Sequence, residues 1–184
     1  MCPRLGAPVI EDTRRWLERA VIGLNLCPFA KAVHTKGQVH YAVSAAAGWK
    51  DLNADLAREL HGLVQADPQQ RETTLLIVPE FLGEFLEFSA YLQEAQRVLE
   101  ASGLEGEIQI ASFHPGYQFA DADAEDVTNC TNRSPYPMLH LLREASIDRA
   151  VEAFPQAESI YEANVETMRQ LGHAGWDKLG VGRS

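Results

Sequence analysis

The chain has 184 residues, 46% of them hydrophobic, with a formal net charge of −10. That length fills one well-packed core and is short for two, so a single globular domain is expected over residues 1–174, with 175–184 as a glycine-rich flexible tail. So large an excess of acid disfavours nonspecific adhesion to nucleic acid or to an anionic membrane. No apolar run approaches the ~20 residues of a membrane span, and Met1 to Ile10 lacks the apolar centre of a signal peptide, which together point to a cytoplasmic protein.

Glu11 to Gly23 places Trp16, Leu17, Ala20, Val21 and Leu24 at helical spacing against Arg14, Arg15, Glu18 and Arg19, with Asp12 or Thr13 as N-cap and Gly23 as the stop. Val39 to Ser44 reads as a short strand. Gly48 to Gly62 reads as a helix with Leu52, Leu56, Leu60 and Leu63 on one face, ended by Asp67-Pro68. Thr73 to Val78 is an almost continuous apolar run, the pattern of a strand covered on both faces. Phe81 to Ser102 reads as a helix closed by Gly103, and Glu107 to Phe113 as a third strand. Ser134-Pro135 has the form of a helix start, with the amphipathic stretch Met138 to Val151 behind it, and a last helix is expected from Gln156 to Leu171.

The order helix, strand, helix, strand, helix, strand followed by two C-terminal helices predicts an α/β fold with at least three strands, of the alternation that gives parallel strands. An α+β, ferredoxin-like arrangement is the alternative, with a fourth strand hidden in Gly116 to Ala120 or Val127 to Cys130.

Between Ala111 and Ala150 the chain concentrates side chains suited to chemistry. His114 follows the third strand, at the carboxyl end where open α/β sheets bind ligands. It is either a capping histidine bonded to a loop carbonyl or a general acid or base. Arg133 precedes the expected helix start at Ser134, whose free amides and dipole favour an anion. On a helix, His140 and Arg143 would share one polar face with Tyr136 and Glu144. Asn132 would join Arg133, Ser134 and Arg143 in holding a phosphate or carboxylate, or would serve as a turn former. Asp121, Asp123, Glu125 and Asp126 read as a solvated acidic loop, because no calcium-loop glycine or bidentate glutamate accompanies them, and no metal site is assigned.

Three cysteines, Cys2, Cys27 and Cys130, stand at wide spacing and are expected to be reduced thiols. Cys27 precedes Pro28, which would open a short helix through Val33. A thiol at a helix N-terminus is a candidate nucleophile, and the competing reading is a small buried hydrophobe between Leu26 and Phe29. The Cys-Pro-Phe run resembles the active-site start of glutaredoxins and some glutathione transferases. In that fold the cysteine follows a strand, whereas Trp16 to Leu24 has helical periodicity.

The segments GLNLCPFA at Gly23 to Ala30, SFHPGYQFA at Ser112 to Ala120 and TNRSPYPMLHLLRE at Thr131 to Glu144 together resemble the uncharacterised family catalogued as domain of unknown function 1415. The resemblance implies a single-domain soluble protein built around these segments and supplies no activity or cofactor. The residues themselves suggest a small enzyme acting on an anionic molecule, with His114 and His140 as acid–base groups and Cys27 as nucleophile if the fold brings it to either histidine. A noncatalytic module binding an anion or a protein partner is the second reading, and a thiol-redox protein using Cys27 the third.

Overall fold

The computed structural model describes residues 3–153 and 159–184, so the expected helix start at Gln156 lies outside the described residues. In chain order the elements are α1 (Pro3–Trp16), a π-helical turn (Leu17–Ile22), α2 (Ala30–Thr35), β1 (Val39–Val43), α3 (Trp49–Gln65), β2 (Thr73–Ile77), α4 (Phe85–Ala101), β3 (Ile108–Phe113), a 3-10 turn (Val127–Asn132), β4 (Met138–Arg143), α5 (Glu144–Ala153) and α6 (Ile160–Lys178). The fold is α/β, built on a mixed four-stranded sheet in the order β1-β2-β4-β3.

β1 and β2 pair in parallel, joined through α3, while β4 runs antiparallel to both its neighbours. β1, β2 and β3 therefore point the same way, as the alternation of elements requires, and β4 is threaded backwards between β2 and β3. The fourth strand is neither Gly116 to Ala120 nor Val127 to Cys130. It is the front of the segment expected to be a helix. β2 is buried at all five positions, which is why its sequence, TTLLI, does not alternate.

Strand alternation sends Leu76, Leu139, Leu141 and Ile108 to one face of the sheet. There they meet Leu52, Leu56, Leu60 and Leu63 of α3 and Phe88, Tyr91, Ala95 and Leu99 of α4, all at helical spacing and almost fully buried. Burying each of these large apolar side chains stabilises the fold by about 1.5–3 kcal/mol before entropy is counted. The other face carries Leu75, Ile77 and Met138 and is covered by Val9, Trp16, Leu17, Ala20 and Val21 of α1 and the π turn. A third, smaller cluster of Leu26, Cys130 and Met168 ties the loop after the π turn to the 3-10 turn and α6.

Gly23 closes the π turn, and a Cβ there would collide with the Arg19 carbonyl. Gly172 has φ 63° and ψ 172°, outside helical geometry, so α6 is kinked there, and the expected stop at Gly172 is a bend after which helical turns resume to Lys178. The last residues, read from their glycines as a flexible tail, lie against α1. Arg19 Nη1 donates to Leu179 O (2.9 Å), Arg15 to Gly180 O (3.0 Å) and Gly182 O (3.1 Å), and Val181 is buried. Among the described residues no helix is long and apolar enough to cross a membrane.

Candidate functional site

The carboxyl ends of β1, β2 and β3 and the start of β4 share one edge of the sheet, and the motif-rich segment 114–137 folds over it. His114 is there, 1% exposed. Its Nδ1 accepts from the Gly116 backbone N–H (2.9 Å), which leaves the proton on Nε2, 3.0 Å from Leu82 O. The ring stacks on Phe88 at 5.0 Å and touches Phe85 at 5.4 Å. Burial pushes its pKa down, more than the hydrogen bond to Leu82 raises it, and the nearby Arg183 charge adds to the depression. Both ring nitrogens are occupied by the chain's own backbone, which is the geometry of the capping histidine.

The polar side chains that follow are used in the same way. Asn129 is fully buried, accepts from Phe119 N (3.0 Å) and donates to Asp123 O (2.8 Å) and Ala124 O (3.3 Å). Asp126 caps the 3-10 turn through Thr128 N–H and hydroxyl. Asn132 spans to Ser112 O (3.4 Å), and its own carbonyl accepts from His114 N–H (3.2 Å). Asp121, Asp123 and Glu125 are exposed, and among the described residues no three His, Cys, Asp or Glu side chains are grouped to hold a metal.

Ser134 does not begin a helix. Its hydroxyl donates to Tyr136 O (2.6 Å), and β4 starts right after Pro137, so the dipole-based anion cradle expected at Ser134 is absent. Because β4 is a strand, His140 and Arg143, three residues apart, point to opposite faces of the sheet rather than along one helical face. His140 Nε2 lies 2.7 Å from the Thr73 hydroxyl, which also meets Leu141 O at 2.7 Å, and burial pushes the pKa of His140 down to about 4. Arg143 reaches across to the end of α3, where its Nη2 donates to the carbonyls of Leu63, Ala66 (2.9 Å) and Arg71 (3.3 Å). It ties the C-terminal end of α3, where Leu63 O also accepts from the Ala66 N–H, to the loop carbonyl of Arg71.

Cys27 is half-buried and packs against the cluster that Val9, Trp16, Leu17, Ala20 and Val21 form on the α1 side of the sheet. The π turn, not a strand, precedes it, and the short helix after it begins at Ala30. Among the described residues no hydrogen bond joins Cys27 to His114 or His140, whose ring nitrogens meet Leu82, Gly116 and Thr73 instead. Of Cys27, His114, Arg133, His140 and Arg143, His140 and Arg143 point to opposite faces of the sheet and Arg133 alone lines the cleft at the chain end.

That cleft, of about 380 Å³, lies between segment 115–135 and the chain end after Gly172. Arg133 and Ser134 line one wall with Pro115 and Pro135. His173, Trp176, Asp177 and Arg183 line the other. Cys130 forms part of the floor, 1% exposed, its thiol pKa raised by burial against the opposing influence of the Arg133 guanidinium that bonds to it.

Arg133 donates from Nε to Tyr117 O (3.2 Å) and from Nη2 to Ala124 O (2.8 Å), clasping the loop above it. Arg183 donates from Nε to Pro135 O (2.8 Å) and lies over the Tyr136 ring, 4.6 Å from its centroid. His173 Nε2 is 2.8 Å from Glu125 O. Behind this wall sits Asp12, 1% exposed. Burial alone would raise its pKa, but hydrogen bonds from Ser184 N–H, the Tyr136 hydroxyl and Arg15 outweigh it and hold the carboxyl low. The Tyr136 pKa is pushed up to about 12, by burial and then by its bond to that carboxylate.

Of the residues expected to hold an anion, Arg133 and Ser134 line this cleft and Asn132 and Arg143 do not, while His173, Trp176, Asp177 and Arg183 were not among those expected. The one signal available was compositional: a segment expected to wave in solvent has little reason to carry Trp176 and Val181.

A family model described as a protein of unknown function, DUF1415, matches residues 8–178. The chain belongs to the DUF1415 family. The match begins in α1 and ends with α6, so in this DUF1415 chain it takes in both walls of the cleft as far as Lys178, while Arg183 lies just past it. No curated protein and no solved structure matches the chain.

Proposed function

We propose that this DUF1415 protein binds an anionic small molecule, bearing a phosphate or carboxylate, in the cleft between Arg133 and Arg183. The observation that carries the reading is charge left over. Among the described residues neither guanidinium is paired with a carboxylate: their contacts are carbonyls, the neutral Cys130 thiol and an aromatic ring. A guanidinium has five N–H donors, and carbonyls satisfy donors without cancelling charge. In a chain of net charge −10, two such groups on one cleft, with Asp177 the one acid among its lining residues and Asp12 bonded behind the wall to Tyr136, Ser184 and Arg15, supply local positive charge for an anion.

The volume lies within the ~300–1,000 Å³ range of small-molecule sites, and Trp176, Pro115 and Pro135 offer apolar surface for the body of the ligand. The reading is one of binding. Acid–base catalysis by His114 gains no support from a ring whose two nitrogens are both engaged, and His173 is the imidazole that borders the cleft.

The test is a thermal-shift and calorimetric screen of inorganic phosphate, nucleoside phosphates and di- and tricarboxylates. A binding anion raises the Tm by mass action. Arg183→Gln should weaken it at least tenfold, about 1.4 kcal/mol. Mass spectrometry of the recovered ligand separates binding from turnover. If no anion shifts the melt, or if Arg133→Gln and Arg183→Gln bind the same anion as tightly as the parent, the proposal is wrong.

A further inference from the structure

The loop that Arg133 clasps from one side presents aromatic rings on the other. Phe85 meets Tyr117 at 5.2 Å between ring centroids, Tyr117 meets Phe119 at 5.1 Å, and Phe119 meets Tyr161 of α6 at 6.3 Å. The series is continuous at its inner end with the His114 ring, 5.4 Å from Phe85, so it is anchored in the core and runs outward to solvent. Tyr161 is 63% exposed, and Leu86, next to Phe85 on α4, is 84% exposed. Isolated exposed apolar residues are ordinary, but a connected strip of aromatic rings with a bare leucine beside it is the composition of an interface centre.

Two features say what it would receive. The first is rigidity: Asn129 and Arg133 pin the loop backbone at Phe119, Tyr117 and Ala124, so the rings are held in place before any partner arrives. The second is charge. Glu84 and Glu87 flank Phe85 and Leu86, Asp121 and Asp123 follow Phe119, and Glu162 follows Tyr161. All five are exposed, and among the described residues none takes part in an ion pair. An apolar strip with an acidic rim is complementary to a segment that alternates apolar and basic side chains.

We propose that the strip from Phe85 through Tyr117 and Phe119 to Tyr161, with Leu86, docks a cationic amphipathic segment of another protein. A second copy would bring the same acidic rim against itself, since an isologous dimer pairs a patch with its own image. A nucleic-acid strand would gain stacking on the rings and lose more by setting its phosphates against five carboxylates.

The test uses the full chain and three fluorescently labelled synthetic peptides: a leucine–lysine amphipathic helix, its leucine–glutamate counterpart, and a serine–lysine peptide of the same charge. The leucine–lysine peptide should bind, the leucine–glutamate peptide should not, and the serine–lysine peptide should bind at least about tenfold more weakly. Leu86→Ser with Tyr161→Ser, changes at exposed positions that leave the charge untouched, should weaken the leucine–lysine complex about tenfold or more with an unchanged melting curve. Glu87→Lys with Asp121→Lys should weaken it and flatten its salt dependence, whereas Glu105→Lys, beyond the far end of α4, should leave it as it was. Equal binding of the two lysine peptides, or binding unaffected by the Leu86 and Tyr161 changes, overturns the proposal. So does sedimentation showing a dimer that Leu86→Ser disperses, since the occupant would then be a second copy.

Discussion

The two walls of the cleft use polar side chains in opposite ways. On segment 114–137, His114, Asn129, Asn132, Asp126 and Ser134 are turned onto the chain's own backbone, and His114, Asn129 and Ser134 are almost completely buried. On the chain end after Gly172, His173, Asp177 and Arg183 are exposed and only partly engaged. The first wall is dense in polar residues because a long loop folded over a sheet edge must satisfy its buried amides and carbonyls somehow. The second is sparse in them and leaves them available. Arg133 belongs to both, clasping the loop with some donors and facing the cleft with its charge.

If that contrast is right, breaking the first wall should cost stability and breaking the second should cost binding. Among the substitutions the largest effect is expected from Asn129→Ala. It leaves the Phe119 amide without its acceptor and takes one of two donors from Asp123 O and Ala124 O, which keep Asp126 N–H and Arg133, at about 2 kcal/mol, read as a lower urea midpoint at an unchanged m-value. A loss below ~1 kcal/mol would mean the loop is not held as described.

Next comes acid. His140 and His114 are both kept neutral in the folded chain, with pKa values below the ordinary histidine value of 6.5. Between pH 6.5 and about 4 the unfolded chain therefore binds more protons than the folded one, so stability is complete above pH 6.5 and falls as the pH drops through that window. For His140 the loss is at most about 3 kcal/mol, less to the degree that its ring meets solvent. His140→Gln should flatten the profile there, and a profile identical to the parent's would contradict the burial of that ring.

Arg143→Lys follows. The carbonyls of Leu63, Ala66 and Arg71 all meet Arg143 at Nη2, the far end of its guanidinium, which a lysine on its shorter stem does not reach, so a loss of about 1 kcal/mol is expected. Anion affinity should be unaltered, and a drop in it would restore Arg143 to the binding site. Arg183→Gln is the smallest change in stability, under ~1 kcal/mol for a partly solvated group, and should show its effect in affinity alone.

Much of the fold was legible. Thr73 to Val78 reads as a strand because a centre strand covered on both faces needs an unbroken apolar run, and the leucines of α3 keep helical spacing because one face alone is covered. The stretch Met138 to Arg143 misleads for the same reason: β4 is also central, so Met138, Leu139, Leu141 and Leu142 are apolar throughout and fit either period. What decides is pairing with β2 and β3, contacts distant in sequence, while the Ser-Pro start supplies a local helix signal that tertiary structure overrides. The cleft was half legible. Arg133 sits in a dense motif, whereas Arg183 takes its position from contacts distant in sequence: Arg15 of α1 and Arg19 of the π turn hold the chain end by its carbonyls, and Asp12 holds Ser184 N–H.

The most direct measurement is side-chain nitrogen NMR of the arginines during titration with inorganic phosphate. The Nε resonances of Arg133 and Arg183 should shift together and saturate with one affinity, accompanied by the Trp176 indole, while Arg58 and Arg97 on exposed surface stay where they are. If the two cleft arginines do not move, or move no more than Arg58 and Arg97, the cleft is not an anion site.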